Sequence, residues 1–142
     1  MKKPASLRAA IAAAVPDLAK NPDKFLVYVD AGSVVARKTK TMSFDYRYTL
    51  NLVLLDYAGD SDTVFIAALE WVAANQPELL AVDDKRQKGI EFIVDHLNNA
   101  TCDLAINLDL TESVLVQTDG AGARTVTHLE EPVPDWEREG LA

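Results

Sequence analysis

The sequence has little of the chemistry on which most active sites and metal centres are built. It contains a single cysteine, Cys102, and two histidines, His96 and His128, among 142 residues. One cysteine excludes an internal disulfide framework and any cysteine-rich zinc or iron–sulfur site. Two histidines leave few ways of building a catalytic triad or a histidine metal cage. The composition therefore favours a non-catalytic domain.

Long apolar runs are also missing. No stretch approaches the roughly 18 apolar residues that a membrane-spanning helix needs. The short, alanine-rich run over residues 9–15 follows Arg8, so an amphipathic helix fits it better than a signal peptide. We therefore expect no membrane partner and synthesis into the cytoplasm.

Basic residues are outnumbered and unevenly distributed. The chain has 22 acidic and 14 basic residues, a net charge of −8, which argues against a main role in gripping nucleic-acid phosphates. Residues 1–40 hold eight basic residues against three acidic ones, a net of +5. Residues 41–142 hold six basic residues against 19 acidic ones, a net charge of −13. Either these charges solvate opposite ends of one domain, or a basic surface of one copy meets an acidic surface of the next.

Helical periodicity occurs twice. The first helix is predicted over residues 4–20, with a kink or restart at Pro16, and its apolar stripe is Leu7, Ile11, Ala14, Val15 and Leu18. The second is predicted over 62–75, after N-cap chemistry at 59–62. Its core stripe is Phe65, Ala68, Leu69 and Val72, with Trp71 on the flank.

The remaining periodicity predicts an antiparallel sheet. A hairpin of strands 25–29 and 34–37 is expected around a turn at 30–33. A strand over 43–56 would span about 45 Å, so either a bulge bends it within the sheet or one end projects as an arm to which a partner adds. Further strands are expected at 90–95, 102–110, 114–116 and 125–127, with turns at 97–101 and 119–122.

These elements predict an α+β fold: an antiparallel, at most mixed, sheet with two main helices packed on one face. Residues 1–130 are expected to form the single domain. Residues 131–142 lack any periodicity and are expected to form an extended, acidic C-terminal tail.

No chemical motif in the chain is complete. The aspartates at 56, 60 and 62 lack the glycine and distal glutamate of a calcium loop in register, so helix capping explains them better. His96 could meet Cys102 and Asp103 across a turn, but strand alternation separates it from Asp95. The glycines at 120 and 122 fit a hairpin turn, not a phosphate loop. We therefore predict no catalytic, metal-binding or cofactor-binding residues.

The candidate functional residues are surface residues. Trp136 lies in the acidic tail, where it either anchors the tail on another subunit or packs back on its own domain. The other candidates lie beside or on the long strand. The predicted interface set is Arg37, Lys38, Lys40, Arg47, Tyr48 and Trp136.

Several short sequence segments, taken in order, carry a family resemblance. The most specific is Ser43-Phe44-Asp45-Tyr46-Arg47-Tyr48-Thr49-Leu50-Asn51. The others are residues 3–8, 21–23 and 30–33 before it, and Asp56 with 59–62, Trp71 with 75–77, 88–89 and 110–112 after it. Over roughly residues 3–131 the chain resembles the tail completion protein R family of contractile-tailed, temperate bacteriophages. It departs from that family after Pro132-Val133-Pro134, where relatives continue further.

The resemblance implies a structural virion protein that completes the tail and permits stable head–tail joining. It also implies a fold like that of tail terminator proteins, whose hexameric rings cap the tail tube. The expected partners are further copies of the chain, tube and sheath proteins, and neck or head-completion proteins, with DNA passing through unbound. The protein would be made in the host cytoplasm of a phage or prophage, stay monomeric until it docks, and remain at the neck-proximal end of the tail.

Two other function classes stay open. An intracellular acidic binding module or inhibitor, without self-assembly, predicts acidic residues clustered on one exposed face. A small enzyme predicts a deep pocket with convergent polar groups.

Overall fold

Two long strands at the centre of one antiparallel sheet organise the fold. The computed structural model describes residues 1–37, 41–81 and 89–129. Within them the sheet has the strand order β1-β2-β4-β3, with β5 also paired to β4, and every pairing is antiparallel. The elements in chain order are α1 (Lys3–Ala14), α2 (Pro16–Lys20), a 3₁₀ turn (Pro22–Lys24), β1 (Phe25–Ala36), β2 (Phe44–Tyr57), α3 (Ser61–Asn75), α4 (Glu78–Ala81), β3 (Ile90–His96), β4 (Cys102–Thr118) and β5 (Arg124–His128).

The core lies between one face of this sheet and helices α1 and α3, which confirms the predicted α+β class. Alternation along β2 and β4 points their even-numbered side chains to this face, here called the helix side. Its fully buried centre consists of Leu50, Leu52 and Leu54 opposite Leu108, Ile106 and Leu104. The opposite face, here called the open side, carries half-exposed apolar side chains such as Leu26 and Tyr28.

The predicted helix restart at Pro16 is confirmed, because α1 ends at Ala14 and α2 begins at Pro16. Most of the predicted stripe of this segment is buried, whereas Ala14 is exposed. Asp60 caps α3 by accepting a hydrogen bond from the Asp62 N–H at 2.9 Å, which confirms the capping role of Asp60. For Asp56 the capping prediction was wrong, because Asp56 lies in β2.

The predicted core stripe of α3 was partly wrong. Leu69 is 43% exposed, whereas Trp71, expected on the flank, is buried. The cause is α1, which packs along α3 and covers a flank that sequence periodicity assigned to solvent. The Trp71 indole N–H donates to the Ser6 hydroxyl of α1 at 2.9 Å, so burying this ring leaves no unpaired donor.

The predicted hairpin with a turn at 30–33 was wrong. Residues 25–36 form one strand, β1, which pairs along its length with β2 and absorbs Asp30 as a bulge between Val29 and Ala31. Gly32 does not form a turn but lets β1 approach β2 closely, since a Cβ at this position would lie 3.0 Å from the Cβ of Tyr48. The long pairing with β2 therefore replaces the local hairpin.

The long strand is bent within the sheet, and it does not project as an arm. Strand β2 pairs with β1 on one side and β4 on the other, and its register shifts between Leu54 and Tyr57, where Asp56 has a φ of 51°. Strand β4 is also longer than expected, since the predicted strands at 102–110 and 114–116 are one continuous element. No helix among the described residues is long and apolar enough to cross a membrane.

Replacing Ile106 by alanine should lower the free energy of unfolding by about 2–5 kcal/mol, because the side chain is fully buried at the centre of the core. Ile93→Ala, on the neighbouring strand but largely exposed, should cost less than about 1 kcal/mol and serves as the control. Urea unfolding of both variants measures the difference. Equal losses would contradict the assigned register of β3 on β4.

Candidate assembly interface

Three of the six predicted interface residues lie within the described part of the chain. Arg37 directly follows β1, and Arg47 and Tyr48 are adjacent in β2, so all three lie at one end of the sheet. Lys38, Lys40 and Trp136 lie outside the described residues. As a set, the interface residues stay a prediction.

Arg37 is held against the open side of the sheet. Its guanidinium donates to the Asp45 carboxylate at 2.8 and 3.0 Å and to the Ser113 hydroxyl at 2.8 Å, which ties the end of β1 to β2 and β4. Burial opposes ionisation of Asp45, but the hydrogen bonds from Arg37 and Ser113 and the charges of Arg37 and Arg47 outweigh it. The pKa of the Asp45 carboxyl is therefore lowered.

Arg47 extends from the same face, and no described residue anchors it as Asp45 and Ser113 anchor Arg37. Its Cα pairs in register with those of Ser33 on β1 and Thr111 on β4, and the residue is exposed. It lines a shallow groove of about 900 Å³ on the open side, together with Asp45, Asp109 and Thr49. The Asp109 carboxylate accepts a hydrogen bond from the Thr49 hydroxyl at 3.1 Å. Asp45 and Asp109, the two aspartates that line the groove, therefore each pair with a neighbour.

Tyr48 is 5% exposed, so it supports this end of the sheet from inside. Its hydroxyl donates at 2.5 Å to the buried carboxylate of Glu112, which lies on the helix side of β4. Burial, followed by the hydrogen bond to Glu112 and its charge, raises the pKa of Tyr48 well above the ordinary tyrosine value. The phenol therefore stays protonated and acts as a donor across the neutral range.

Glu112 is held from two further directions. The backbone N–H of Lys2, at the start of α1, donates to its carboxylate at 2.7 Å, and His128 Nδ1 of β5 lies 3.9 Å away. A buried carboxylate needs such donors, because an unpaired buried charge costs several kcal/mol. Glu112 thus joins the N-terminus, β2, β4 and β5 at one point.

A second polar cluster fills the gap between β3 and β5, which share one edge of β4. The fully buried Gln76 side chain accepts from the Thr111 N–H at 3.1 Å and donates to the Thr111 hydroxyl at 3.0 Å. The Lys3 ammonium donates to the Thr111 carbonyl and to Gln76 Oε1, both at 2.6 Å. These side chains replace the missing strand partner. Periodicity did not indicate this role for Gln76, although residues 75–77 were among the segments carrying the family resemblance.

Both outer strand edges carry exposed apolar side chains. On β1, residues 31–36 are all exposed, and Val34 is 62% exposed. On β3, Phe92 and Ile93 are 58% and 69% exposed. Sequence reasoning did not single out these residues. Within residues 1–37, 41–81 and 89–129, no cluster of three or more His, Cys, Asp or Glu could hold a metal ion.

Comparison with known proteins agrees with a surface-based role. The chain matches the family described as P2 phage tail completion protein R (GpR) over residues 1–132. It is 40% identical to tail completion protein R of Escherichia phage P2, over 94% of this chain and 86% of that protein. The chain belongs to the P2 phage tail completion protein R family. No solved structure matches it.

Membership of the tail completion protein R family confirms the resemblance drawn from the sequence segments. The family is one of structural tail proteins, which agrees with the prediction that the chain is not an enzyme. Function in this family member must therefore be sought in its surfaces and in the contacts that hold them in shape.

Removing the Tyr48 hydroxyl should destabilise the protein. Tyr48→Phe leaves Glu112 buried with one donor fewer, so the free energy of unfolding should fall by about 1.5–3 kcal/mol. Tyr28→Phe, at a half-exposed tyrosine on the open side, is the matched control and should change it by less than about 0.5 kcal/mol. Urea denaturation at pH 7 measures both, and equal effects would contradict the buried role of Tyr48.

The Asp45 ion pair should contribute stability that depends on pH. Because the folded pKa is lowered, the contribution is present above the unfolded aspartate pKa of about 3.9 and is lost as the pH falls through the folded value. Asp45→Asn should thus cost about 0.5–1 kcal/mol at pH 7, and the difference from the original protein should shrink below about pH 4. Asp30→Asn, at the exposed bulge of β1, is the control for thermal unfolding across this range. A constant difference for Asp45→Asn would contradict the pairing.

Proposed function

We propose that this protein completes the phage tail by forming a ring of identical copies that caps the tail tube and permits stable joining to the head. The tail completion protein R family makes it a structural component of the virion tail that interacts with other tail components. The observation that carries the ring is the pair of exposed apolar strand edges on opposite sides of one sheet. Because the β1 edge and the β3 edge are different surfaces, they suit head-to-tail contacts, which form a closed ring when the rotation between copies closes.

The partners follow from this position in the particle. One surface of the ring contacts tail tube and sheath proteins, and the other contacts neck or head-completion proteins. A hexamer is the proposed stoichiometry, assembled from monomers in the host cytoplasm as they dock on the tube. The predicted basic residues Arg37, Lys38, Lys40 and Arg47 then contribute to contacts with acidic surfaces, and Trp136 anchors the C-terminal segment on a neighbour.

The net negative charge suits a protein through which DNA passes. Residues 41–142 carry a net of −13, from six basic and 19 acidic residues. If part of this charge lines the ring lumen, it repels DNA phosphates, so the genome slides past without specific binding.

Electron microscopy of particles made without this protein tests the proposal. A cap on the tube predicts separate heads and tails of uncontrolled length, and the wild-type gene supplied in trans should restore completed particles. Tails of normal length that fail to join heads would replace the terminator role by a neck role. Normal particles would overturn tail completion and favour an acidic binding module instead.

A further inference from the structure

We propose that neighbouring copies join edge to edge, with residues 31–36 of β1 in one copy pairing with β3 of the next, so that one sheet continues from copy to copy. The proposal rests on the ring proposed above and names its contact. Each step is carried by exposure, strand direction and charge.

The outer edge of β1 is contacted by other elements at its start and is exposed throughout its second half. Near the start of the strand, Arg8 donates to the Phe25 carbonyl at 2.7 Å and lies over the Phe25 ring at 4.9 Å, and α1 and the 3₁₀ turn contact the strand. Over residues 31–36, β1 pairs with β2 alone among the described strands. After the bulge at Asp30, this half contains no proline and no charged residue, two of the usual devices that block strand addition.

The outer edge of β3 has a matching length and character. Strand β3 has seven residues and pairs with β4 alone among the described strands. Phe92 lies on the helix side, where its ring meets that of Phe65 of α3 at 5.2 Å, and Ile93 lies on the open side. Exposed apolar side chains thus flank a row of backbone groups that no described strand pairs with, which is the usual template for strand addition.

Strand direction makes these edges compatible. Neighbours in the order β1-β2-β4-β3 alternate in direction, so β1 and β3 of one copy run in opposite directions. A copy related by rotation, with its helices on the same face, therefore brings β3 antiparallel to the β1 of its neighbour. Residues 31–36 lie level with 109–114 of β4, whereas β3 lies level with 102–108, so the contact requires strands that are inclined to the ring axis. Val34 then shares the helix side with Phe92, and Val35 shares the open side with Ile93.

Charge favours β3 over β5 as the strand that meets β1. Arg47 of β2 is exposed and lies in register with Ser33 in the open half of β1, and Arg37, at the end of this half, is already paired with Asp45. Strand β3 carries the exposed Glu91 and Asp95 and no lysine or arginine. In the antiparallel arrangement Glu91 lies towards the Arg37 end of β1. Strand β5 is shorter, and it begins with the basic Arg124. A second copy bound through β3 therefore combines opposite charges around an apolar centre.

Disulfide trapping in assembled tails tests this contact. The test uses a Cys102→Ser chain supplied to a phage that lacks its own copy. Two double variants are made in it: Val34→Cys with Phe92→Cys, and Val35→Cys with Ile93→Cys. In each, the two thiols lie on the same face of the sheet, and the two variants sample neighbouring registers of the pairing. Oxidised tails should give a reducible ladder of multimers on denaturing gels. The opposite-face pair Val34→Cys with Ile93→Cys and each single variant should give none.

Completed tails that give no ladder from either same-face pair would overturn the edge contact. Dimers formed by a single-cysteine variant would also overturn it, because they indicate a two-fold contact. Disulfides to a different tail protein would overturn it as well. If cysteine variants fail to complete tails even when reduced, charge reversal decides. Arg47→Glu should lower the yield of completed tails roughly tenfold, and Glu91→Arg in the same chain should restore it, whereas no rescue would overturn the contact.

The two proposals fail in distinguishable ways. Normal particles made without the protein would remove the ring function itself. Defective tails without the protein, combined with completed tails that give no ladder, would leave the function standing and remove only the contact between β1 and β3.

Discussion

The pairing of β2 with β4 is the constraint on which the rest of the structure depends. Its register runs unbroken from the pair Phe44 and Val114 to the pair Leu54 and Leu104. This register places the alternating leucines of both strands on the helix side. A slip of one residue would expose every one of them and turn polar side chains into the core. Once this register is set, α1 and α3 have a single apolar surface to cover, and β1 and β3 take the outer positions.

The same register carries a buried carboxylate and a gap in the sheet, and both are stabilised by groups from distant parts of the chain. Glu112 follows the leucine alternation onto the helix side, where Tyr48 and the Lys2 N–H supply donors. Gln76 and Lys3 bind the backbone of Thr111 where β3 and β5 leave it without a partner. Because unpaired buried polar groups are costly, these contacts fix the N-terminus and the end of α3 on the sheet.

Local patterns predicted most of the elements but not their extent. Alternation over 43–56 and 90–95 indicated β2 and β3, and the capping chemistry before residue 62 indicated the start of α3. Gly32 suggested a turn because glycine is common in turns, yet its role is to let two strands approach closely. Within the candidate interface, the charge pattern of the sequence indicated Arg37 and Arg47. It did not indicate Val34 and Ile93, because their exposure depends on which strands become edges of the sheet.

By itself the sequence determined the class of protein: an antiparallel sheet with an apolar face, too few cysteines and histidines for most metal or catalytic sites, and the segments that mark the tail completion protein R family. These features are local, because periodicity, composition and short motifs are properties of neighbouring residues. Only the tertiary structure decided the strand order, the burial of Glu112 and Tyr48, and the exposure of the β1 and β3 edges. Those properties arise from pairings between residues far apart in the chain, such as Tyr48 with Glu112, and no local pattern specifies such pairings.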